Sequence, residues 1–336
     1  MASANGPLVI ADTGHHRLLL WSRRPEQDFA EADFVIGQPD YGREGRNAKG
    51  EPGPATLNVP TGVATHDGVL AVADAWNHRV LIWLSIPESS NQPADIVLGH
   101  ENFSSVLANR GGEPSAATLN WCYGVAFIDG RLAVADTGNR RVLLWDTLPE
   151  RNGAPADHVL GQRTFDCRDE NAGEGVTGLG MRWPHGIALL QGMLFVSDAG
   201  NNRVMVWDQI PDGPGTPCNF VLGQNDLVSS EHNRASYLPD AAALNMPYSI
   251  ASAGDTLVAA DTANSRLVGW GPGDISQGAP ATGLAGQHDF GSKGDNRWQL
   301  PVRDSLCWPY GLTVAGNAII ISDSGNNRVM LWEKAA

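Results

Sequence analysis

What this 336-residue chain lacks closes off several kinds of protein. No apolar run approaches the roughly 18 residues that mark a membrane-spanning helix, so no membrane association is expected. The opening Met-Ala-Ser-Ala-Asn-Gly has neither the basic nor the apolar stretch of a secretory signal. No window sustains a 3.6-residue apolar period, so no sizeable helix is expected. There is no glycine-rich phosphate loop between strand and helix, no Gly-x-Ser-x-Gly elbow and no calcium-loop spacing. Lysine and arginine never run longer than two, in a chain of formal charge −14 and pI about 4.9. A surface of that sign repels a phosphate backbone, so nucleic acid is not an expected partner. The four cysteines, Cys122, Cys167, Cys218 and Cys307, sit at unrelated repeat positions. They do not make a disulfide framework, and they fit a cytoplasmic, reducing location.

What the chain has is a period. The stretch Asp12 to Trp21 recurs as Asp74–Trp83, Asp136–Trp145, Asp198–Trp207, Asp261–Trp270 and Asp323–Trp332, with the aspartates 62, 62, 62, 63 and 62 residues apart. A second marker keeps phase: Gly37-Gln38, Gly99-His100, Gly161-Gln162, Gly223-Gln224 and Gly286-Gln287. A fixed period of this kind means a solenoid, propeller or array. The second copy is the clearest. Val59–Ala64, Val69–Asp74, Arg79–Trp83 and Asp95–Gly99 are short β-rich runs bounded by Gly, Pro, Asn and Asp, and these read as four strands joined by turns. We call them a to d. Four short antiparallel strands repeated six times describe an all-β, six-bladed propeller. A β-solenoid fits less well, because each unit holds too many residues and reversals for one coil.

The motif Val134 to Trp145, Val-Ala-Asp-Thr-Gly-Asn-Arg-Arg-Val-Leu-Leu-Trp, with its upstream Pro-x-Gly-Val-Ala segment, resembles the NHL-repeat family of six-bladed propellers. The likeness recurs in register over nearly the whole chain. Gly37 to Tyr41 and Pro114 to Asn120 look like bacterial members with long inter-blade loops. The resemblance implies a fold and leaves the function open, since family members include protein-binding, RNA-binding and enzymatic proteins.

The repeat is expected to make one domain over residues 1–336, with cores at 1–38, 57–100, 119–162, 181–224, 244–287 and 306–336. Blade 1 begins within strand a, at Met1–Asn5. Blade 6 reaches strand c and has no strand d. The six-fold Asp, Asn, Arg and Trp of the motif are expected to build the unit, not to act in catalysis. Extra length falls in the d-to-a connections, residues 39–56, 101–118, 163–180, 225–243 and 288–305. Long loops on a rigid scaffold are where binding tends to reside.

Departures from the repeat are the other guide. Thr61, Tyr123, His185, Tyr248 and Tyr310 share one register position at the start of strand a, expected around the mouth of a central channel. Trp121, Trp183 and Trp308 precede that position, and Trp76 lies in a b-to-c turn, so all four are expected on the long-loop face. The tryptophans could instead be inter-blade packing. As a set, Tyr123, His185, Tyr248 and Tyr310, with Trp121, Trp183, Trp308 and Trp76, read as a surface for a protein, a peptide or a small ligand. The family's amidating-lyase branch implies zinc-binding histidines at the Pro184-His185-Gly186 position, but only His185 matches. A mixed His185, Cys122 and Cys307 site for zinc, copper or iron, serving a metal-dependent lyase or hydrolase, is the alternative. No other cofactor is indicated.

Overall fold

The computed structural model describes residues 6–333; the expected start of strand a at Met1–Asn5 lies outside them. The chain is a six-bladed β-propeller with essentially no helix, only 3₁₀ turns of three or four residues between the strands. In blade 2 the strands are Pro60–His66, Val69–Asp74, Arg79–Trp83 and Ile96–Leu98, paired antiparallel in that order. Blades 3, 4 and 5 repeat this four-stranded order. Among the described residues, blade 1 contributes strands b, c and d (Leu8–Asp12, Arg17–Trp21, Phe34–Ile36), and blade 6 contributes a, b and c (Pro309–Ala315, Ala318–Asp323, Arg328–Glu333). The strand limits expected in blades 2 and 6 agree with these to within one or two residues.

The contacts divide the chain into two compact units. One runs to Val159 and takes in Thr164–Arg168; the other comprises Leu160–Arg163 and Asp169 onward. In the first unit, apolar residues of blades 2 and 3 such as Ala71, Val80, Ile82, Leu132, Val134 and Leu143 form a core between sheets. In the second, Phe195, Val204 and Val206 pack on Ile250, Leu257 and Ala259. Neighbouring a strands approach closely. A Cβ on Gly62 would lie 2.8 Å from both Tyr123 O and Val125 N, so the glycine of the Pro-x-Gly segment lets two backbones meet.

The motif's polar residues form a buried clamp. In blade 2, Asp74 Oδ2 accepts from Arg79 Nε and Asn77 Nδ2, both at 2.7 Å, and Oδ1 accepts from the Asn58 N–H at 2.6 Å. Burial pushes the Asp74 carboxyl up, and Arg79 and these donors pull it back. Arg79 Nη2 donates to the carbonyls of Gly53 (3.1 Å) and Thr56 (2.9 Å), and Nη1 to that of Phe103. One arginine therefore ties the long loop entering its blade and the long loop leaving it to the sheet. Arg141, Arg203 and Arg266 do the same. The repeat tryptophan is a second tether. Trp83 Nε1 donates to Gln92 O at 3.0 Å, and Trp145, Trp207 and Trp270 each reach the carbonyl nine residues on. The structural role expected for the motif residues is what these bonds describe.

Candidate functional site

The long loops are more regular than their composition suggests. Each carries a 3₁₀ turn holding an asparagine and its successor in the left-handed region: Asn47-Ala48, Asn109-Arg110, Asn171-Ala172, Asn233-Arg234 and Asn296-Arg297. The asparagine pairs with the asparagine of the following b-to-c turn. Asn77 Nδ2 donates to Asn47 Oδ1 at 2.8 Å, and Asn47 Nδ2 returns a bond at 3.3 Å. Asn109 with Asn139, Asn233 with Asn264, and Asn296 with Asn326 repeat the exchange. The backbone of these loops is thus part of the repeat, and the side chains it displays are held on a rigid frame. The sequence reading missed these asparagines. Their spacing of 62 or 63 residues was the signal that could have found them.

On this frame the tryptophans stand outward. Trp121 is 50% exposed, Trp308 48%, and Trp76 and Trp183 40% each. A residue that packs between blades would be covered, so the packing reading does not describe them. Each has a neighbour that fixes its ring or backbone. Arg46 lies 4.9 Å above the Trp76 ring, and Arg182 5.2 Å above that of Trp183. Trp121 stacks on His78 at 6.2 Å, and its N–H donates to His78 Nδ1 at 2.9 Å. Burial lowers the pKa of His78, which keeps that nitrogen an acceptor. Trp308 donates its N–H to Ser265 Oγ at 3.3 Å. Trp121 and Trp308 adopt positive φ, 46° and 51°, a conformation that costs a non-glycine residue about 1–2 kcal/mol.

In the second unit, three residues of the shared register position meet. The His185 and Tyr248 rings are 4.5 Å apart, edge to face, and Tyr248 stacks on Tyr310 at 4.6 Å. His185 Nδ1 lies 2.9 Å from Trp183 O, and burial pushes the imidazole down to about 4, so the ring is neutral at physiological pH. Tyr310 is exposed and Tyr248 half-buried. In the first unit, Tyr123 occupies the same register, and its carbonyl accepts from Thr61 Oγ1 at 2.9 Å.

The residues proposed for a metal are each used otherwise. Cys122 is fully buried in the wall between blades 2 and 3, and its thiol donates to Arg79 O at 3.2 Å. Burial pushes this thiol well up. Cys307 packs beneath the b-to-c turn of blade 6, where a Cβ on Gly325 would come within 2.3 Å of its sulfur. Its thiol is pushed up to about 11 by burial, with Asp295 and Asp323 adding to the shift. Both sulfurs therefore stay protonated, not as the thiolates a metal takes. No group of three or more His, Cys, Asp or Glu side chains able to hold a metal occurs among the described residues, so His185, Cys122 and Cys307 do not form one. Among the same residues no helix is long and apolar enough to cross a membrane.

Comparison with known proteins agrees with this architecture. Among solved structures, a chain of the nidogen/laminin complex is similar over 98% of this chain and 89% of its own (TM-score 0.50, 16% identity). Hydrazine synthase of Kuenenia stuttgartiensis is similar over 99% and 94% (TM-score 0.54, 12% identity). Identities this low speak to the fold alone, and the class is that of β-propellers. The family model of the NHL repeat matches residues 57–83, which hold strands a to c of blade 2. With that motif standing in register in all six blades, the chain is an NHL-repeat propeller. NHL repeat-containing protein 2 of Homo sapiens is 39% identical over 74 residues, and that of Gallus gallus 40%; each match covers 22% of this chain and 9% of the relative.

Proposed function

We propose that this propeller is a binding scaffold that docks a polypeptide through its long-loop side, using Trp76 and Trp121 in the first unit and Trp183, Trp308, Tyr248 and Tyr310 in the second. The observation that carries the reading is the outward exposure of four tryptophans on a hydrogen-bonded loop frame. Large aromatic side chains held in fixed poses lose little entropy on binding, and Trp and Tyr dominate the energetics of protein interfaces. The net charge of −14 favours a neutral or basic partner. The metal-dependent lyase or hydrolase reading gains no support, because its three ligands are not gathered.

The test is a selection of binding peptides from a displayed random library, followed by affinity measurement against variants. Trp121→Ala and Trp308→Ala are expected to weaken the selected peptides about tenfold or more. Leu84→Ala, an exposed apolar residue in a c-to-d connection, is expected to leave them unchanged. Equal loss with Leu84→Ala, or none with the tryptophan variants, would refute the reading.

A further inference from the structure

The outer edge of blade 6 is built for a strand that the described chain does not place there. In blades 2 to 5 strand c is buried along its whole length and carries a d strand. In blade 6 the last strand of the sheet is Arg328–Glu333, and Val329, Met330, Leu331 and Trp332 are partly or largely exposed. Their counterparts in blade 4, Val204, Met205, Val206 and Trp207, are at most 1% exposed.

The other blades specify what fits. The five d segments read Asp33-Phe-Val-Ile-Gly-Gln-Pro-Asp-Tyr41, Asp95-Ile-Val-Leu-Gly-His-Glu-Asn-Phe103, Asp157-His-Val-Leu-Gly-Gln-Arg-Thr-Phe165, Asn219-Phe-Val-Leu-Gly-Gln-Asn-Asp-Leu227 and Thr282-Gly-Leu-Ala-Gly-Gln-His-Asp-Phe290. In blade 4, Phe220, Val221 and Leu222 pair with Val206, Met205 and Val204. The glycine after them always has positive φ, between 86° and 95°. The next amide reaches back to the b-to-c turn, as Gln224 Nε2 does to Asn202 O at 3.1 Å. Three residues further on, a carbonyl receives Nη1 of the clamp arginine, as Leu227 O does from Arg203 at 2.9 Å.

Blade 6 presents the matching half of each contact. Val329, Met330 and Leu331 occupy the ladder positions, and Asn326 and Asn327 hold the turn carbonyls. Arg328 spends Nε on Asp323 (2.7 Å) and Nη2 on Val302 (2.8 Å) and Ser305 (2.9 Å), leaving Nη1 with no hydrogen bond among the described residues. We infer that this edge accepts, by strand addition, an extended segment of another polypeptide with the pattern acidic or amide residue, x, Val, Leu, Gly, Gln, x, x, aromatic. A second copy of this chain is not the donor of such a segment, because all five of its own are paired within their blades.

The probe is a fluorescein-labelled nonapeptide, Asp-Phe-Val-Leu-Gly-Gln-Asn-Asp-Phe, titrated against the full chain and followed by anisotropy and amide hydrogen exchange. Saturable binding is expected, with slowed exchange confined to Val329–Leu331. Replacing the peptide's glycine by valine, or its glutamine by glutamate, is expected to weaken binding about tenfold or more, since each spoils one specified contact without touching the protein. Arg328→Lys is expected to weaken it by a similar factor, because an ammonium cannot replace the guanidinium fork. Equal binding of a scrambled peptide would overturn the inference. So would amides at Val329–Leu331 already protected in the free protein, which would mean that the chain or a second copy covers the edge.

Discussion

Strand c of blade 4 and strand c of blade 6 start from nearly the same sequence, Arg-Val-Met-Val-Trp against Arg-Val-Met-Leu-Trp, and end in different environments. Trp207 is 1% exposed, with its indole N–H on Thr216 O; Trp332 is half-buried and turns its N–H to Arg303 O, back in the preceding long loop. Sequence sets the strand in both cases, but the neighbouring d strand decides how much each side chain contributes. The largest effect expected from this difference is on stability. Trp207→Ala should cost about 3–5 kcal/mol, as for a large side chain deleted from a closed core. Trp332→Ala should cost about 1–2 kcal/mol. Urea unfolding followed by circular dichroism compares the two, and equal losses would mean that the edge of blade 6 is covered.

The same contrast applies one layer further in. Asn77 is buried and joins Asn47 to Asp74, whereas Asn326, with the same bonds to Asn296 and Asp323, is half-buried. Asn77→Ala strands two buried polar partners and should cost about 1–3 kcal/mol. Asn326→Ala should cost less, since water can reach the gap. Limited proteolysis gives a second readout. Asn77→Ala is expected to open the loop 39–56 to cleavage, and the corresponding cut in 288–305 should be weaker for Asn326→Ala.

These asparagines also show where sequence reading stopped. Strand positions, blade count and the missing outer strand of blade 6 were legible because each strand is a contiguous apolar run between turn residues, and the period repeats it. The exposed tryptophans were legible as departures from that period. The order inside the long loops was not, because it rests on left-handed residues such as Asn47-Ala48 and on bonds about 30 residues apart, which leave no local hydrophobic pattern. The fate of Cys122 was not legible either. Its register suggested a channel mouth, but a strand presents alternate residues to opposite faces, and its sulfur ends against Arg79 O in the wall between two sheets.

A smaller effect separates blade 2 from the other blades at one atom. Where blades 1, 3, 4 and 5 carry Gln38, Gln162, Gln224 and Gln287, blade 2 carries His100, fully buried, with Nε2 at 3.1 Å from Asn77 O. Burial lowers its pKa to about 4 from 6.5. The folded state therefore binds the proton less readily than the unfolded one. The stability this supplies is present in full above about pH 6.5 and is lost as pH falls towards 4, with no further loss below. The expected slope is on the order of 1 kcal/mol per pH unit across that window. His100→Gln, which installs the amide of the other blades, should flatten the slope by this amount while leaving stability at pH 8 little changed. Thermal melts at half-unit pH steps would show it, and an unchanged slope would assign the acid sensitivity to other groups, His185 first.

The smallest effect bears most directly on function. Trp121 stands half-exposed with φ at +46°, while Trp145, in the same blade, is 3% exposed within a regular strand. Substituting glycine for Trp145 removes a core side chain. At Trp121 the same substitution relieves a left-handed strain of about 1–2 kcal/mol, against roughly 0.5–1 kcal/mol of added freedom in the unfolded chain and the loss of the stack on His78. The terms nearly cancel, so Trp121→Gly is expected to change stability by no more than about 0.5 kcal/mol in either direction. The same variant is expected to lose binding of peptides selected on the wild-type surface. A large loss of stability would show that the indole holds the b-to-c turn of blade 2 in place. Unchanged stability with lost binding would show that the strained tryptophan is spent on a partner and not on the fold.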